Sequence, residues 1–456
     1  MRRHRWKAIR KPACRGAAAG VAPTRTIVEA TPAPIPDRRC DRIADGPVAV
    51  ADGVHWIGAL DPTLRTFDIV LRTANGTSYN AYAVRGSHGV AVVDTVKESF
   101  SGEFFRRLEA VADYDEITAI VLNHLEPDHS GALPELLRRA PRAHVYLSVK
   151  APLMFKALLK PTDAVPKGFT LVNTGDRVDL GGRHLRFLHT PFLHWPDTQC
   201  TYLEEEGLLF SCDVFGCHFC DARLFNDRVG DFRFSFEYYY AHIMRPFREH
   251  VAKALDLIEP LDLATIAPAH GPILRHAPRD YVRRYRELSG RRLINEAAGE
   301  RTLLVFYLSA YGSTRRMAEA VAAGAEEVPG VRVSLYDLEG GEAAPFVDLV
   351  EEADGLAFGS PTINGDAAKP VWDLLSSLSA VNVQRKLGAA FGSYGWSGEA
   401  VDLIEHRLRG LKFRVPFEGL RAKLTPTEAE LSGCRELGQR LARHLVTPDA
   451  LLAEAA

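Results

Sequence analysis

The chain has 456 residues, 46% hydrophobic and 25% charged, with a formal net charge of −2. That is the makeup of a soluble globular protein too long for one ordinary core, so two or three domains are expected. The charge is unevenly placed: residues 1–40 hold ten Lys or Arg against Glu29 and Asp37, a net of +8, which leaves −10 for the remainder. A mildly acidic body excludes an electrostatic case for nucleic acid, and no run of about 18 apolar residues is present to span a membrane. Seven cysteines, at 14, 40, 200, 212, 217, 220 and 434, form no disulfide framework and point to a reducing, cytoplasmic compartment.

Residues 1–45 are Arg-, Ala- and Pro-rich and lack an apolar core, so they are no secretory signal. An Arg-rich, acid-poor start resembles an organelle transit peptide. The composition bias of the whole chain favours a disordered basic extension, or a start codon placed too far upstream. From residue 46, strands are predicted over 54–59, 67–71, 79–84 and 89–94, then a helix over 103–111. The apolar, β-branched run Glu116–Leu122 predicts a buried strand. Further strands are predicted at 143–148, 185–189, 208–213 and 263–271, with a solvated helix over 280–298. Strands running into loops that each deliver one ligand-type residue describe a layered α/β sandwich with a site along one edge.

The pattern changes near Ala297-Ala298-Gly299. Strands are then predicted at 302–308, 331–336, 355–359, 386–392 and 412–415, alternating with helices at 314–327, 346–353, 369–378, 400–408 and 429–445. Regular β-α alternation over about 155 residues predicts a doubly wound parallel sheet.

The stretch Asn123-His124-Leu125-Glu126-Pro127-Asp128-His129-Ser130-Gly131 follows the 116–122 strand, and a helix is predicted to start at Ala132. Imidazoles and carboxylates on one strand-to-helix turn converge on a point and suit iron, zinc or manganese. A lone histidine there would read as a satisfied polar side chain; His124, Glu126, Asp128 and His129 together read as a metal site. Cys212, Cys217 and Cys220, with His218 among them, match no zinc spacing well and read as packing or incidental thiols.

In a doubly wound sheet, ligands bind beyond the carboxyl ends of the strands. The first strand of the second half runs into Ser309-Ala310-Tyr311-Gly312-Ser313-Thr314, which opens a helix and makes an anion site. Neither a Walker lysine nor a G-x-G-x-x-G fingerprint is present, so ATP and NAD fit poorly. The third strand leads into Ser360-Pro361-Thr362-Ile363-Asn364-Gly365, and the fourth into Ser393-Tyr394-Gly395-Trp396-Ser397-Gly398. A phosphate cradle, a polar loop and a glycine-rich aromatic loop at three strand ends suit a phosphorylated planar ring.

On these residues the second half resembles the flavodoxins, whose cofactor is FMN. The resemblance implies that Ser309, Tyr311, Gly312, Ser313 and Thr314 hold the phosphate. It implies that Pro361, Thr362, Ile363, Asn364 and Gly365, with Ser393, Tyr394, Gly395, Trp396 and Gly398, flank the isoalloxazine. The first half resembles the metallo-β-lactamase fold, with Glu126 where zinc hydrolases of that fold carry a histidine. The order of the halves, and the His194-Trp195-Pro196-Asp197 segment, resemble the flavodiiron proteins (A-type flavoproteins) over residues 46–456. The expected organisation is therefore a basic extension (1–45), an αββα metallo-β-lactamase-like diiron domain (46–298) and a flavodoxin-like FMN domain (299–456).

The family resemblance implies one iron on His124, Glu126 and His194, a second on Asp128, His129 and His270, and Asp213 between them. His189 matches no ligand position and is expected to be structural or to lie behind the ligands. Two ferrous ions and a reduced flavin hold four electrons, enough to reduce dioxygen to water; coupling two nitric oxides to nitrous oxide takes two. The implied function is reduction of one or both gases. Because no rubredoxin-like or flavin-reductase module follows the flavodoxin half, electrons are expected from rubredoxin or a similar small donor. A head-to-tail homodimer, or a dimer of dimers, is implied by the resemblance alone. Two other readings carry weight: a two-zinc hydrolase fused to an electron carrier, which Glu126 disfavours, and a binding module with a vestigial metal site, which the complete ligand set disfavours.

Overall fold

The computed structural model describes residues 46–67, 71–159, 168–290, 300–340 and 344–447. The extension 1–45, the middle of the predicted 67–71 strand and the 297–299 boundary lie outside the described residues. Among the described residues, seven strands form the first sheet in the order Val48–Ala51, Val54–Trp56, Tyr82–Gly86, Gly89–Val93, Ile117–Leu122, His144–Ser148 and Phe169–Val172. Five more form the second: Arg177–Asp179, His184–His189, Gln199–Leu203, Leu208–Cys212 and Thr265–Pro268. Trp56, Tyr82, Val121, Phe187 and Phe210 fill the space between the two sheets. Burying each side chain of this size contributes about 1.5–3 kcal/mol.

Outside the first sheet, helices Ser101–Glu109 and Leu133–Arg139 bury Phe104, Leu108, Leu133 and Leu136. Outside the second, helices Arg233–Tyr239, Arg248–Ile258 and Pro278–Gly290 bury Phe236, Leu255 and Tyr285. The first half is thus the expected αββα sandwich.

The second half is a parallel sheet ordered Val331–Asp337, Arg301–Tyr307, Gly355–Gly359, Leu387–Tyr394 and Leu420–Lys423. Its strand order reverses beside Arg301–Tyr307, which makes the end of that strand the switch point. Helices Ser313–Glu326 and Glu428–Val446 cover one face and Ala344–Glu352, Lys369–Ser376 and Glu399–Gly410 the other. The first two cross with their backbones in contact: a Cβ on Gly324 would collide with the Arg435 carbonyl, and one on Gly438 with that of Val321. Arg245 and Arg248 of the sandwich half pair with Asp348, Glu351 and Glu352 of the flavodoxin-like half. Among the described residues no helix is long and apolar enough to cross a membrane.

The structure corrects several expectations. The 54–59 and 79–84 strands are each broken, into Val54–Trp56 with Ala59–Asp61 and Thr77–Tyr79 with Tyr82–Gly86. Asn80 sits at the second break because its side chain accepts from Trp56 Nε1 and donates to the Pro268 and Gly271 carbonyls. In the 67–71 region, the described segments Thr66–Phe67 and Leu71–Arg72 pair antiparallel with each other. The fifth strand of the second half is Leu420–Lys423, not 412–415; Lys412 adopts φ +66°, and Arg414 makes only an isolated bridge to Leu387. The fourth strand runs on to Tyr394, because Ser393 and Tyr394 pair with Ala422 and Lys423. The helix predicted over 280–298 is described as Pro278–Gly290, its remainder lying outside the described residues. Strand Gln199–Leu203 and helices Arg233–Tyr239 and Arg248–Ile258 were not anticipated.

Candidate functional site

Strand Ile117–Leu122 delivers His124 and Glu126 at its carboxyl end, and Pro127–Ser130 then forms one short helical turn that carries Asp128 and His129. Proline at the first helical position fixes φ where no amide partner is needed. The turn is held by Ser130 Oγ, which donates to the Leu125 and Glu126 carbonyls, and by Thr95, whose amide and hydroxyl both donate to the His129 carbonyl. A Cβ on Gly131 would collide with the Glu98 amide, so this tight return excludes larger residues.

The second sheet supplies the other side. His194 lies in the loop between strands His184–His189 and Gln199–Leu203, Asp213 directly follows Leu208–Cys212, and His270 follows Thr265–Pro268. The last two strands are parallel, so Asp213 and His270 leave the sheet at one edge. The two sheets are tied at that edge by Gln199 N donating to the Asn123 carbonyl and Thr201 Oγ1 to Asn123 Oδ1.

The seven residues converge as two groups. In the first, Glu126 Oε2 is 3.2 Å from His124 Nε2 and 3.1 Å from His194 Nε2. In the second, Asp128 is 3.3 Å from His129 Nε2 and 3.1 Å from His270 Nε2. Asp213 faces both: Oδ2 is 3.8 and 3.9 Å from His124 and His194, and Oδ1 is 3.3 and 3.5 Å from His129 and His270. Donors bound at about 2.1 Å to one ion sit roughly 3.0–3.4 Å apart when adjacent, so the Glu126 and Asp128 spacings suit a metal in each group, with Asp213 Oδ2 standing farther off, at 3.8 and 3.9 Å, from the first.

The electrostatics agree. Asp128 Oδ1 and Oδ2, His129 Nε2 and Asp213 Oδ2 are buried and make no hydrogen bond, a costly state unless an ion completes them. Burial opposes a charge on His129, yet Asp128 and Asp213 override it and push the ring up to about 10. Burial likewise opposes the Asp213 carboxylate, but His129, His124 and His270 hold it well below its ordinary range. Protons on imidazoles stand here where cations would neutralise the carboxylates.

Several site residues had no separate signal in the sequence. Asp197, 1% exposed, accepts from His124 Nδ1 at 3.0 Å and Leu125 N at 2.8 Å, which turns His124 Nε2 to the centre. The Ser78 carbonyl does the same for His270 through Nδ1 at 2.7 Å. Tyr239 OH donates to Asp213 Oδ1 at 3.1 Å; burial and then Asp213 push its pKa well up, so the proton stays on. Asp94 accepts the amide and side chain of Asn123, and burial raises it to about 6. The spacing of Asp197 within His194–Asp197 was the one usable clue. His189 belongs to neither group. Cys217 is buried in packing, while the Cys212 sulfur borders His129 and Asp213; burial pushes both thiols well up.

In the second half, Tyr307, Gly359 and Phe391 are in register across three strands, so the loops at 308–313, 360–365 and 395–398 open at one edge. Gly312, at φ +85°, precedes helix Ser313–Glu326 and has no side chain to cap it. With the Arg315 amide taken by Ser309, the Ser313 and Thr314 amides are those of the first turn that suit an anion. Ser309 Oγ accepts from Arg315 N, and the buried Thr314 hydroxyl bonds Ser393 Oγ at 2.8 Å, so Thr314 points inward. Asn364 and Gly365, at φ +55° and +73°, turn the Thr362–Ile363/Asp366–Ala367 hairpin. Tyr311 is 98% and Trp396 80% exposed. Two large aromatics left open beside an anion site fit a planar phosphorylated ring.

Residues 77–271 match the family model described as ODP family beta lactamase, and residues 305–438 the flavodoxin model. The chain is 65% identical over 400 residues to the type A flavoprotein fprA of Rhodobacter capsulatus, covering 88% of this chain and 92% of that protein. It is 36% identical over 405 residues to the nitric oxide reductase of Moorella thermoacetica, covering 88% and 99%. Among solved structures, the rubredoxin oxygen:oxidoreductase from Desulfovibrio gigas aligns with a TM-score of 0.60 at 30% identity, covering 89% of this chain and all of that one. With a sandwich and a doubly wound sheet in this order, and identity that runs through both, the chain belongs to the type A flavoproteins, the flavodiiron family.

Proposed function

We propose that the protein is a flavodiiron oxidoreductase that reduces dioxygen to water, nitric oxide to nitrous oxide, or both, with electrons passing from a separate donor through FMN to two non-haem irons. The observation that carries this reading is Asp213, whose two oxygens face two separate groups of histidine and carboxylate. His124, Glu126 and His194 would hold one iron and Asp128, His129 and His270 the other, with Asp213 facing both groups. Bound iron supplies the redox chemistry on a small gas, and FMN supplies the electrons.

The protein's own residues prepare that chemistry. Asp197 and the Ser78 carbonyl fix the tautomer of two ligands, so Nε2 of each is free to bind. Tyr239 keeps its proton and holds Asp213 Oδ1. The pocket is buried, which excludes bulk water and strengthens each polar contact. In the second half, Ser309, Tyr311, Gly312, Ser313 and Thr314 form the phosphate end of the FMN seat. Pro361 to Gly365 and Ser393 to Gly398 flank the ring. Thr314 acts there through its amide, since its hydroxyl is bonded to Ser393.

The domains divide at about residue 299, with the two matched stretches on either side. A rubredoxin-like protein is the donor, in keeping with the name of the Desulfovibrio gigas rubredoxin oxygen:oxidoreductase. A head-to-tail homodimer brings the exposed Tyr311 and Trp396 edge of one chain to the metal pocket of the other. A cytoplasmic location is the reading that the cysteine usage supports.

The test is metal and flavin analysis followed by parallel oxygen and nitric oxide consumption with a reduced donor. About two irons and one FMN per chain, with consumption of at least one gas, support the reading. Zinc in place of iron, with hydrolytic turnover and no gas consumption, overturns it.

A further inference from the structure

We propose that His218 is a ligand-facing residue of the metal pocket, a hydrogen-bond donor to the small molecule bound on the Asp128–His129–His270 side. It rests on the flavodiiron reading and extends it to a residue outside the seven. His218 follows Cys217 in a stretch where no function is otherwise assigned. The ring is 6% exposed, and its Nε2 is buried with no hydrogen-bond partner. A buried imidazole nitrogen left unmatched is rare enough to call for a missing partner.

Its surroundings say where that partner sits. Nδ1 is anchored 3.0 Å from Thr77 Oγ1, on the strand Thr77–Tyr79. The ring centroid lies 5.3 Å from that of His270 and 5.1 Å from that of Tyr239. Those two side chains converge on Asp213 Oδ1, at 3.5 and 3.1 Å. Phe67 covers the ring at 4.3 Å. With one edge tied to Thr77, the other is left for the pocket.

Which nitrogen of His218 carries hydrogen is assigned from the contacts of the Thr77 hydroxyl. The Ser78 carbonyl takes the His270 Nδ1 proton at 2.7 Å. The Thr77 hydroxyl is 3.3 Å from that same carbonyl but 3.0 Å from His218 Nδ1. The Thr77 hydroxyl has one proton for these two acceptors; assigned to the shorter contact it goes to Nδ1, and His218 then carries its own proton on Nε2. The group left in the pocket is a neutral N–H donor. It matches an oxygen or nitrogen lone pair of dioxygen, nitric oxide, water or azide.

The test is azide titration of the iron- and FMN-loaded protein, followed by its visible charge-transfer absorption, in wild type, His218→Phe and His218→Gln. Phenylalanine keeps the ring volume under Phe67 and removes the donor; glutamine restores a donor near the Nε2 position. His218→Phe is expected to raise the azide dissociation constant about tenfold, with glutamine recovering most of the loss. Iron and FMN content should match wild type in both. Wild-type affinity in His218→Phe overturns the proposal. So does loss of iron from both variants, which would make His218 a support for His270. If the wild-type protein itself takes up no iron and shows no azide band, the flavodiiron reading fails with it, a result seen before any variant is made.

Discussion

In the sandwich half, donor atoms from the ends of four strands meet where His124, Asp128, His129, Asp213 and His270 are each at most 7% exposed. In the flavodoxin-like half, Tyr311 and Trp396 stand almost fully in solvent at the edge of a parallel sheet. The first site is a problem of buried charge: three carboxylates and four imidazoles share one pocket, with His124 held by Asp197, His270 by the Ser78 carbonyl and Asp213 by Tyr239. The second is a surface cleft on a rigid edge, its contacts supplied by loops that the sheet holds but does not bury. Changes at the first should therefore reach metal binding and stability together, while changes at the second should reach flavin binding alone.

The largest expected effect is at Asp213. Asp213→Asn or His129→Ala is expected to abolish oxygen and nitric oxide consumption while FMN stays bound, read by gas electrodes and flavin absorbance. Loss of FMN in either variant would break the separation of the two sites. Next, Trp396→Ala is expected to weaken FMN binding roughly tenfold to a hundredfold, read by flavin titration of the apoprotein. Its iron content and melting temperature should not move.

Asp197→Asn keeps the shape behind His124 and removes the charge. A drop of about tenfold to a hundredfold in iron affinity is expected, read by competition with a chelator. An unchanged affinity would mean that Asp197 only packs.

The smallest effect is a pH dependence confined to the iron-free protein. Asp128 and Asp213 push the His129 ring from its ordinary 6.5 up to about 10. A raised pKa in the folded state gives stability that is complete below the unfolded value and is lost as pH rises through the folded one. The iron-free melting temperature should therefore fall between about pH 7 and 10. The iron-loaded protein, in which the metal replaces that proton, should not follow.

How much of this was legible in sequence differs between the halves for a physical reason. The flavodoxin-like half alternates apolar β-branched runs with amphipathic helices, and parallel strands joined by helices leave few topologies open. Its elements fall within a few residues of expectation, apart from the last strand, where Phe413 imitates strand patterning by burying its ring beneath Gly388. In the sandwich half, polar residues break the pattern inside strands. Asn80 interrupts a strand because its side chain bonds backbone carbonyls 188 and 191 positions later, an interaction that no local periodicity records.

The sequence by itself determined the residue types of the candidate metal site, the loops proposed to seat the flavin and the order of the two halves. Local runs carry those signals: His124 to His129 are neighbours in the chain, and each flavin loop directly follows its strand. Only the tertiary structure decided that Asp213 shows one oxygen to each group, that Asp197 and the Ser78 carbonyl orient His124 and His270, and that His218 stands beside Tyr239 with a free Nε2. Each depends on which side chains meet across two sheets, and that is set by register and by packing between residues far apart in the chain.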